Sequence, residues 1–280
     1  MPLTIEATGE ACGARVRGLD FAKAIDGDVV AQLRSAWLEH QVLIFPEQSL
    51  SDDDLERFTG YFGPFGDDPF IAPIPGRQHV IAVARRADES GSIFADVWHT
   101  DWSFQEKPPI GTCLYGIDIP PQGGNTLFAN QYLALEAMPA ALRERIRDRK
   151  AIHSAKLGYS PSGLYGDADA AADRSMTITP SAEAEATQLH AFIREHDETG
   201  RATLYGCIGY IIGAEGLDDE AALELLLELH AWQTREEFVY EHEWEEGTLL
   251  MWDNRCLLHR ATGGYEGYDR LLHRTTIGAG

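Results

Sequence analysis

The first apolar pattern along the chain is the alternation in LTIEAT, the period of a half-buried strand. It gives way over residues 26–40 to a spacing that sets Val29, Leu33 and Trp37 on one helical face. The β-rich run QVLIF follows, so the chain is predicted to open strand, helix, strand. A second helix is predicted from Ser51, with Asp54 at the capping-box position, ending near the Gly63-Pro64 breaker. From His79 onward the pattern turns to short strands, HVIAVAR, VWHTDWSF, TCLYGIDI and NTLFANQ, divided by clusters such as IPPQGGN, which predicts an antiparallel sandwich or barrel. Residues 132–147 read as a helix, with Pro139 suited to the first turn of its second half. Residues 217–236 read as an amphipathic helix, with Leu223, Leu226, Leu227 and residues 229–231 as its apolar positions. The strands resume in FVYEHEW, TLLMWD and RLLHRTTI. Residues 156–200, weakly periodic and rich in Gly and Pro, are expected to form an excursion or lid over a single domain spanning 1–280.

Charge narrows the partners. Asp and Glu number 45 against 23 Lys and Arg, a formal charge of -22, which repels both a phosphate backbone and an anionic membrane surface, so neither nucleic acid nor membrane is expected. The acidic residues between 215 and 246 read as a solvated face. An anionic substrate would need local arginines to override this field. Cys12, Cys113, Cys207 and Cys256 form no C-x-x-C pair and suit buried free thiols in a reducing cytoplasm. The first residues carry no export signal and no apolar run is long enough to span a bilayer, so a cytoplasmic enzyme is expected.

Candidate chemistry begins at His99-Thr100-Asp101, where strand periodicity would send an imidazole and a carboxylate to one face. Either they pair with each other, or a third ligand from elsewhere completes a 2-His-1-carboxylate triad of the kind that holds non-haem iron(II). His259, in MWDNRCLLHR just past an apolar strand, is the candidate. Eleven residues further stands Arg270 and then Arg274, an i, i+4 pair on one face of RLLHRTTI beside Leu272 and Thr276. Two guanidinium groups on an apolar face need anions, whether structural glutamates or a ligand carboxylate gripped by the guanidinium fork. His196-Asp197-Glu198 is the competing tripeptide and reads as a solvent-exposed turn. His153, His190, His230, His242 and His273 show no ligand spacing. Phosphate loops, nucleophile elbows and H-E-x-x-H helices are absent from the sequence.

GARVRGLDF, HQVLIFPEQSLSDDDLERFTGYFGP, WHTDWSFQEKPP, PPQGGNTLF, REEFVYEHEW, LLMWDNRCLLHRAT and RLLHRTTIG together resemble the taurine dioxygenase and 2,4-dichlorophenoxyacetate dioxygenase family of iron(II)/2-oxoglutarate enzymes. The resemblance implies a mainly β fold with flanking helices around a double-stranded β-helix, or jelly-roll, core, assembled as a dimer or tetramer. It implies that His99, Asp101 and His259 bind iron(II), and that Thr126 and Arg270 grip the distal carboxylate of 2-oxoglutarate. Trp252 would line the co-substrate pocket or simply pack in the core, and Arg274 would face substrate or co-substrate anions. The expected reaction consumes dioxygen and 2-oxoglutarate, releases succinate and CO2, and hydroxylates a small anionic molecule. Asp101 argues against a halogenase, which lacks the carboxylate. Ala95 replaces an asparagine of the taurine enzyme, and residues 69–71 also depart from it. Phe70, Ile71, Phe94, Ala95 and Trp102 are therefore expected near a more apolar substrate, such as an aryloxy or alkyl acid, a sulfonate or a sulfate ester. The alternatives are a taurine dioxygenase proper and a non-catalytic metal-binding β-barrel sensor.

Overall fold

The structure is a computed structural model that describes residues 2–169 and 173–280. An antiparallel pair, β1 (Thr4–Ala7) and β2 (Ala14–Arg17), precedes α1 (Gly27–His40) and β3 (Val42–Phe45). Helix α1 starts where the Asp26 side chain accepts the Val29 N–H, buries Leu33, Ala36 and Trp37, and stops at Gln41, whose φ of 63° turns the chain into β3. The capping box of α2 (Asp52–Gly60) is present in both directions between Ser51 and Asp54, and the helix ends at Gly60, before the Gly63-Pro64 breaker. Next come β4 (Ile81–Arg85), β5 (Gly111–Asp118), β6 (Thr126–Asn130), α3 (Gln131–Glu136), α4 (Ala140–Ile146), β7 (Lys150–Ser154) and α5 (Lys156–Tyr159). Short strands β8 (Thr187–Ala191), β9 (Ile193–Glu195), β10 (Ala202–Leu204) and β11 (Ile211–Ala214) lead to α6 (Asp219–Gln233). The chain closes with β12 (Val239–His242), β13 (Leu249–Asp253), β14 (Leu257–Ala261) and β15 (Arg270–Ile277).

Seven strands form the large sheet in the order β1-β2-β3-β13-β5-β15-β4, antiparallel except for β2 beside β3. A three-stranded sheet, β12-β6-β14, packs on it, because Val42, Ile44, Leu114 and Trp252 of the large sheet share one apolar cluster with Phe128 and Leu257 of the small one. The alternate residues Leu43, Phe45, Cys113 and Met251 face the other way, onto Leu33 and Trp37 of α1 and Leu55 and Phe58 of α2. Burial on both faces explains why β13 reads as the unbroken run LLMWD rather than as an alternation. Two smaller sheets, β11-β7-β8 and β10-β9, complete the strands; β7, β10 and β11 share a further apolar cluster with α3, α4 and α6. Among the described residues no helix is long and apolar enough to cross a membrane.

Several local expectations are corrected. The helix expected over 132–147 is two helices, broken where Pro139 becomes the N-cap of α4. VWHTDWSF is no strand: His99 alone makes a bridge, to His259, and residues 101–104 turn. His259 lies just past the apolar strand β13, as expected, and within a further strand, β14. Leu223 and Leu227 of α6 are exposed, because Leu225, Leu226 and Leu229 already cover the core. The excursion over 156–200 divides, its last part forming β8 and β9, while residues 170–172 lie outside the described residues.

Candidate active site

The bridge between residue 99 and β14 builds the centre of the site. His99 N–H donates to the His259 carbonyl at 3.0 Å and His259 N–H returns a bond of 2.7 Å to the His99 carbonyl, so the two rings lie side by side with centroids 4.2 Å apart. The chain then bends through Trp102, whose φ of 48° is left-handed. Before that bend the Asp101 carboxylate meets the imidazoles, with Oδ1 3.7 Å from Nε2 of both His99 and His259. Ligand atoms of the three residues lie within 4.8 Å of one another.

The protonation states suit a cation. Nδ1 of His99 sits 2.8 Å from the Val97 carbonyl, so it carries the proton and leaves the Nε2 lone pair facing Asp101. Burial pushes His259 down to about 3, helped by the charges of His99 and Arg274, so this imidazole is neutral at physiological pH. Burial alone would raise Asp101, but His259, His99 and Arg274 outweigh it and hold the carboxyl well below the usual range. Two imidazoles that turn Nε2 toward one carboxylate are the donor set a divalent metal requires, and the site fits iron(II).

A relay of buried hydrogen bonds fixes the carboxylate. Trp252 Nε1 donates to Asn254 Oδ1 at 2.9 Å, Asn254 Nδ2 donates to Thr112 Oγ1 at 2.9 Å, and Thr112 Oγ1 donates to Asp101 Oδ2 at 2.6 Å. Thr100 also donates to the Asn254 carbonyl at 2.7 Å. Trp252 packs its ring against His259 at 4.8 Å, so its place is beneath the ligands rather than on the wall of the main cavity. Thr112 and Asn254 were missed in the sequence, since a lone Thr in an apolar strand carries no signal; the Asn in WDNR was a motif letter without an assigned task.

The two arginines of β15 differ. Arg270 is buried, donates from Nη2 to the Gly124 carbonyl at 2.9 Å, leaves Nε without a partner, and makes no ion pair among the described residues. Burial without a counter-charge lowers it to about 10. Thr126, from the same loop-to-strand junction, accepts a bond from Trp244 Nε1 at 3.0 Å, which leaves its hydroxyl proton to donate elsewhere. Arg274 is equally buried, but it is ion-paired through Nη2 to Asp68 and lies 3.7 Å from Asp101 through Nη1.

A cavity of about 350 Å³ opens above His99 and Asp101. Phe94, Ala95, Trp102 and Arg274 are on its wall, with Tyr159, Tyr165 and Tyr210 beside them. Phe70 and Ile71 stand outside that wall, Phe70 stacking on Tyr159 at 5.0 Å. The structure corrects the reading of His196: the ring is buried, not exposed, with Nε2 3.0 Å from Asp253 Oδ2, because the Asp253–Arg255 pair draws the turn inward. His196, Asp253 and Cys256 cluster closely, but Arg255 occupies Asp253 and burial drives the Cys256 thiol far up, so this group is a structural network. All four cysteines are buried and free, as expected.

This fold and donor set define a metal-dependent oxygenase architecture, and the comparisons with known proteins say which. The profile of the "Taurine catabolism dioxygenase TauD, TfdA family" matches residues 4–276. The chain is 35% identical over 271 residues to the "(S)-phenoxypropionate/alpha-ketoglutarate-dioxygenase" of Delftia acidovorans, covering 92% of this chain and 89% of that one. It is 31% identical to the "Alpha-ketoglutarate-dependent 2,4-dichlorophenoxyacetate dioxygenase" of Cupriavidus pinatubonensis, with 94% and 93% covered. A crystal structure titled a putative alpha-ketoglutarate dependent 2,4-D dioxygenase from Burkholderia xenovorans superposes with a TM-score of 0.79 at 29% identity, covering 100% of this chain and 98% of that one. The chain belongs to the TauD/TfdA family. It is a 2-oxoglutarate-dependent dioxygenase, an oxidoreductase that uses iron(II), 2-oxoglutarate and dioxygen.

Proposed function

We propose that the enzyme hydroxylates a small, anionic organic molecule with an apolar body, of the aryloxy or alkyl acid, sulfonate or sulfate ester class. The observation that carries this is the cavity itself: it opens directly over His99 and Asp101, it has aromatic walls, and Val97, Leu157 and Leu164 expose apolar side chains on it. His99, Asp101 and His259 would hold the iron, and Arg270 with Thr126 would hold the distal carboxylate of 2-oxoglutarate. The unmet charge of Arg270 supports that clamp, since a buried guanidinium without an anion is costly. When bound, the metal couples oxidative decarboxylation of 2-oxoglutarate to insertion of oxygen into a substrate C–H bond.

The chain's own residues orient and exclude. The Thr112–Asn254–Trp252 relay keeps Asp101 ionised and aimed at both imidazoles. Leu157, Tyr159, Leu164 and Tyr165, from the 156–200 excursion expected as a lid, line the cavity and would limit water at the reacting carbon. The facing large and small sheets support a double-stranded β-helix in one domain. Four buried thiols suit a cytoplasmic enzyme, and the family resemblance a homo-oligomer, read by light scattering. Taurine is a poorer fit than an aryl or alkyl anion, because Ala95 adds no polar group to the wall.

An anaerobic titration with iron(II) and 2-oxoglutarate, followed by an aerobic screen of sulfonates, sulfate esters and aryloxy acids for succinate release, tests the reading. Coupled succinate release with at least one class is expected; none with any would remove it. His99→Ala and Asp101→Ala are expected to abolish metal binding, and Arg270→Ala to raise the KM for 2-oxoglutarate at least tenfold. An unchanged KM would sink the clamp.

A further inference from the structure

Two guanidinium groups stand on the cavity wall, and they differ in what already holds them. At the inner end Arg274 is paired with Asp68 and lies near Asp101, with its guanidinium 5.3 Å from the Trp102 ring centroid. The same Asp68 Oδ1 accepts the Trp102 indole N–H at 2.7 Å, so the pair is tied into the wall. Asp68 therefore already occupies this guanidinium, which is not free to take a substrate anion.

At the outer end stands Arg260, next to His259 on β14 and therefore on the opposite face of the strand. Its guanidinium lies over the Trp98 ring at 5.7 Å, its Nε is buried without a hydrogen-bond partner, and among the described residues it makes no ion pair. His230, in the last turn of α6, faces the same cavity with its Nδ1 also buried and unpartnered. Besides Asp101, the cavity wall carries one more carboxylate, Asp96. The same wall carries apolar side chains, with Val97, Leu157 and Leu164 exposed by 48%, 52% and 45%. A guanidinium and an imidazole with unpartnered buried nitrogens, on a cavity wall that also carries apolar side chains and the metal residues His99 and Asp101, form a receptor for an amphiphile.

We infer that the substrate's acidic group is held by Arg260 and His230 at the outer end of the cavity, with its apolar part directed toward His99 and Asp101, while Arg274 stays paired with Asp68. This rests on the cavity being the substrate site. It adds that the oxidised carbon lies remote from the acid, so a longer acid fits better than a short one.

The test uses the anaerobic iron(II)/2-oxoglutarate enzyme and four probes: phenoxyacetate, 4-phenoxybutyrate and the methyl ester of each, with Kd read by calorimetry. The unmodified enzyme is expected to bind 4-phenoxybutyrate at least tenfold more tightly than its ester and more tightly than phenoxyacetate. Arg260→Gln is expected to erase the preference for acid over ester while leaving ester binding in place, and Arg260→Lys to keep part of it. His230→Ala should weaken acid binding several-fold. If phenoxyacetate binds best, and the acid preference is lost in Arg274→Gln but kept in Arg260→Gln, the inference is overturned and the proposed function stands. If no acid binds better than its ester, the inference also falls; absence of succinate release across the whole screen would then show that the proposed function had fallen with it.

Discussion

Asp101 depends on a buried neighbour, Thr112, whose hydroxyl bonds it and Asn254. Thr112→Val removes the 2.6 Å bond to Oδ2 while preserving shape, and leaves the Asn254 amide without its acceptor. Losing an orienting bond of this kind costs roughly 10- to 100-fold in metal affinity. An iron(II) titration of the variant should therefore show weaker metal binding, and unchanged affinity would remove the relay from the account. Gly124 is the second sensitive point: its φ is 66°, and a Cβ there would stand 2.9 Å from Arg270 Nε. Gly124→Ala should raise the KM for 2-oxoglutarate several-fold more than it changes kcat. Of the residues at the site, His99, Asp101, His259, Arg270 and Arg274 were visible as letters in order. Whether an arginine is free or already paired was not visible, because Asp68 lies 206 residues from Arg274 along the chain.

Elements show the same division. The alternating and helical periods marked the strands and helices that present one face to a core, and they placed β15 at its full extent. They failed where pairing, not pattern, decides: residue 99 has strand-like neighbours but a single bridge, and that bridge is what sets it beside His259. Helix α2 was legible from its cap and offers a clean test. Ser51→Ala removes the side-chain half of the capping box and should lower stability by about 1 kcal/mol, seen as a lower urea midpoint at constant slope. Because α2 packs on the far side of the large sheet from the metal ligands, the KM for 2-oxoglutarate should not move.

At the scale of the whole molecule, acid should loosen the fold before it strips charge from the surface. Burial pushes His153 and His242 down to about 3, from an ordinary value of 6.5. Above pH 6.5 both are neutral folded or unfolded. As pH falls below 6.5 the unfolded chain takes up protons that the folded chain refuses until about pH 3, so stability is lost across that window. The loss from pH 7 to pH 5 is on the order of 1–2 kcal/mol per histidine. Denaturant midpoints of the metal-free protein at the two pH values should show it, and His153→Gln should reduce the difference.

Local chemistry is written in order along the chain, so periods of two and 3.6, a capping box, free cysteines, the acidic balance and the recurring motif letters could be read from the sequence alone. Convergence is not written there. That residues 99, 101 and 259 meet, that Arg274 is answered by Asp68 while Arg260 and Arg270 are not, and that His196 is buried, follow only from which strands pair and where the chain bends. The physical reason is range: a propensity acts over a few residues, whereas an ion pair or a ligand set joins groups that the backbone separates by a hundred or more.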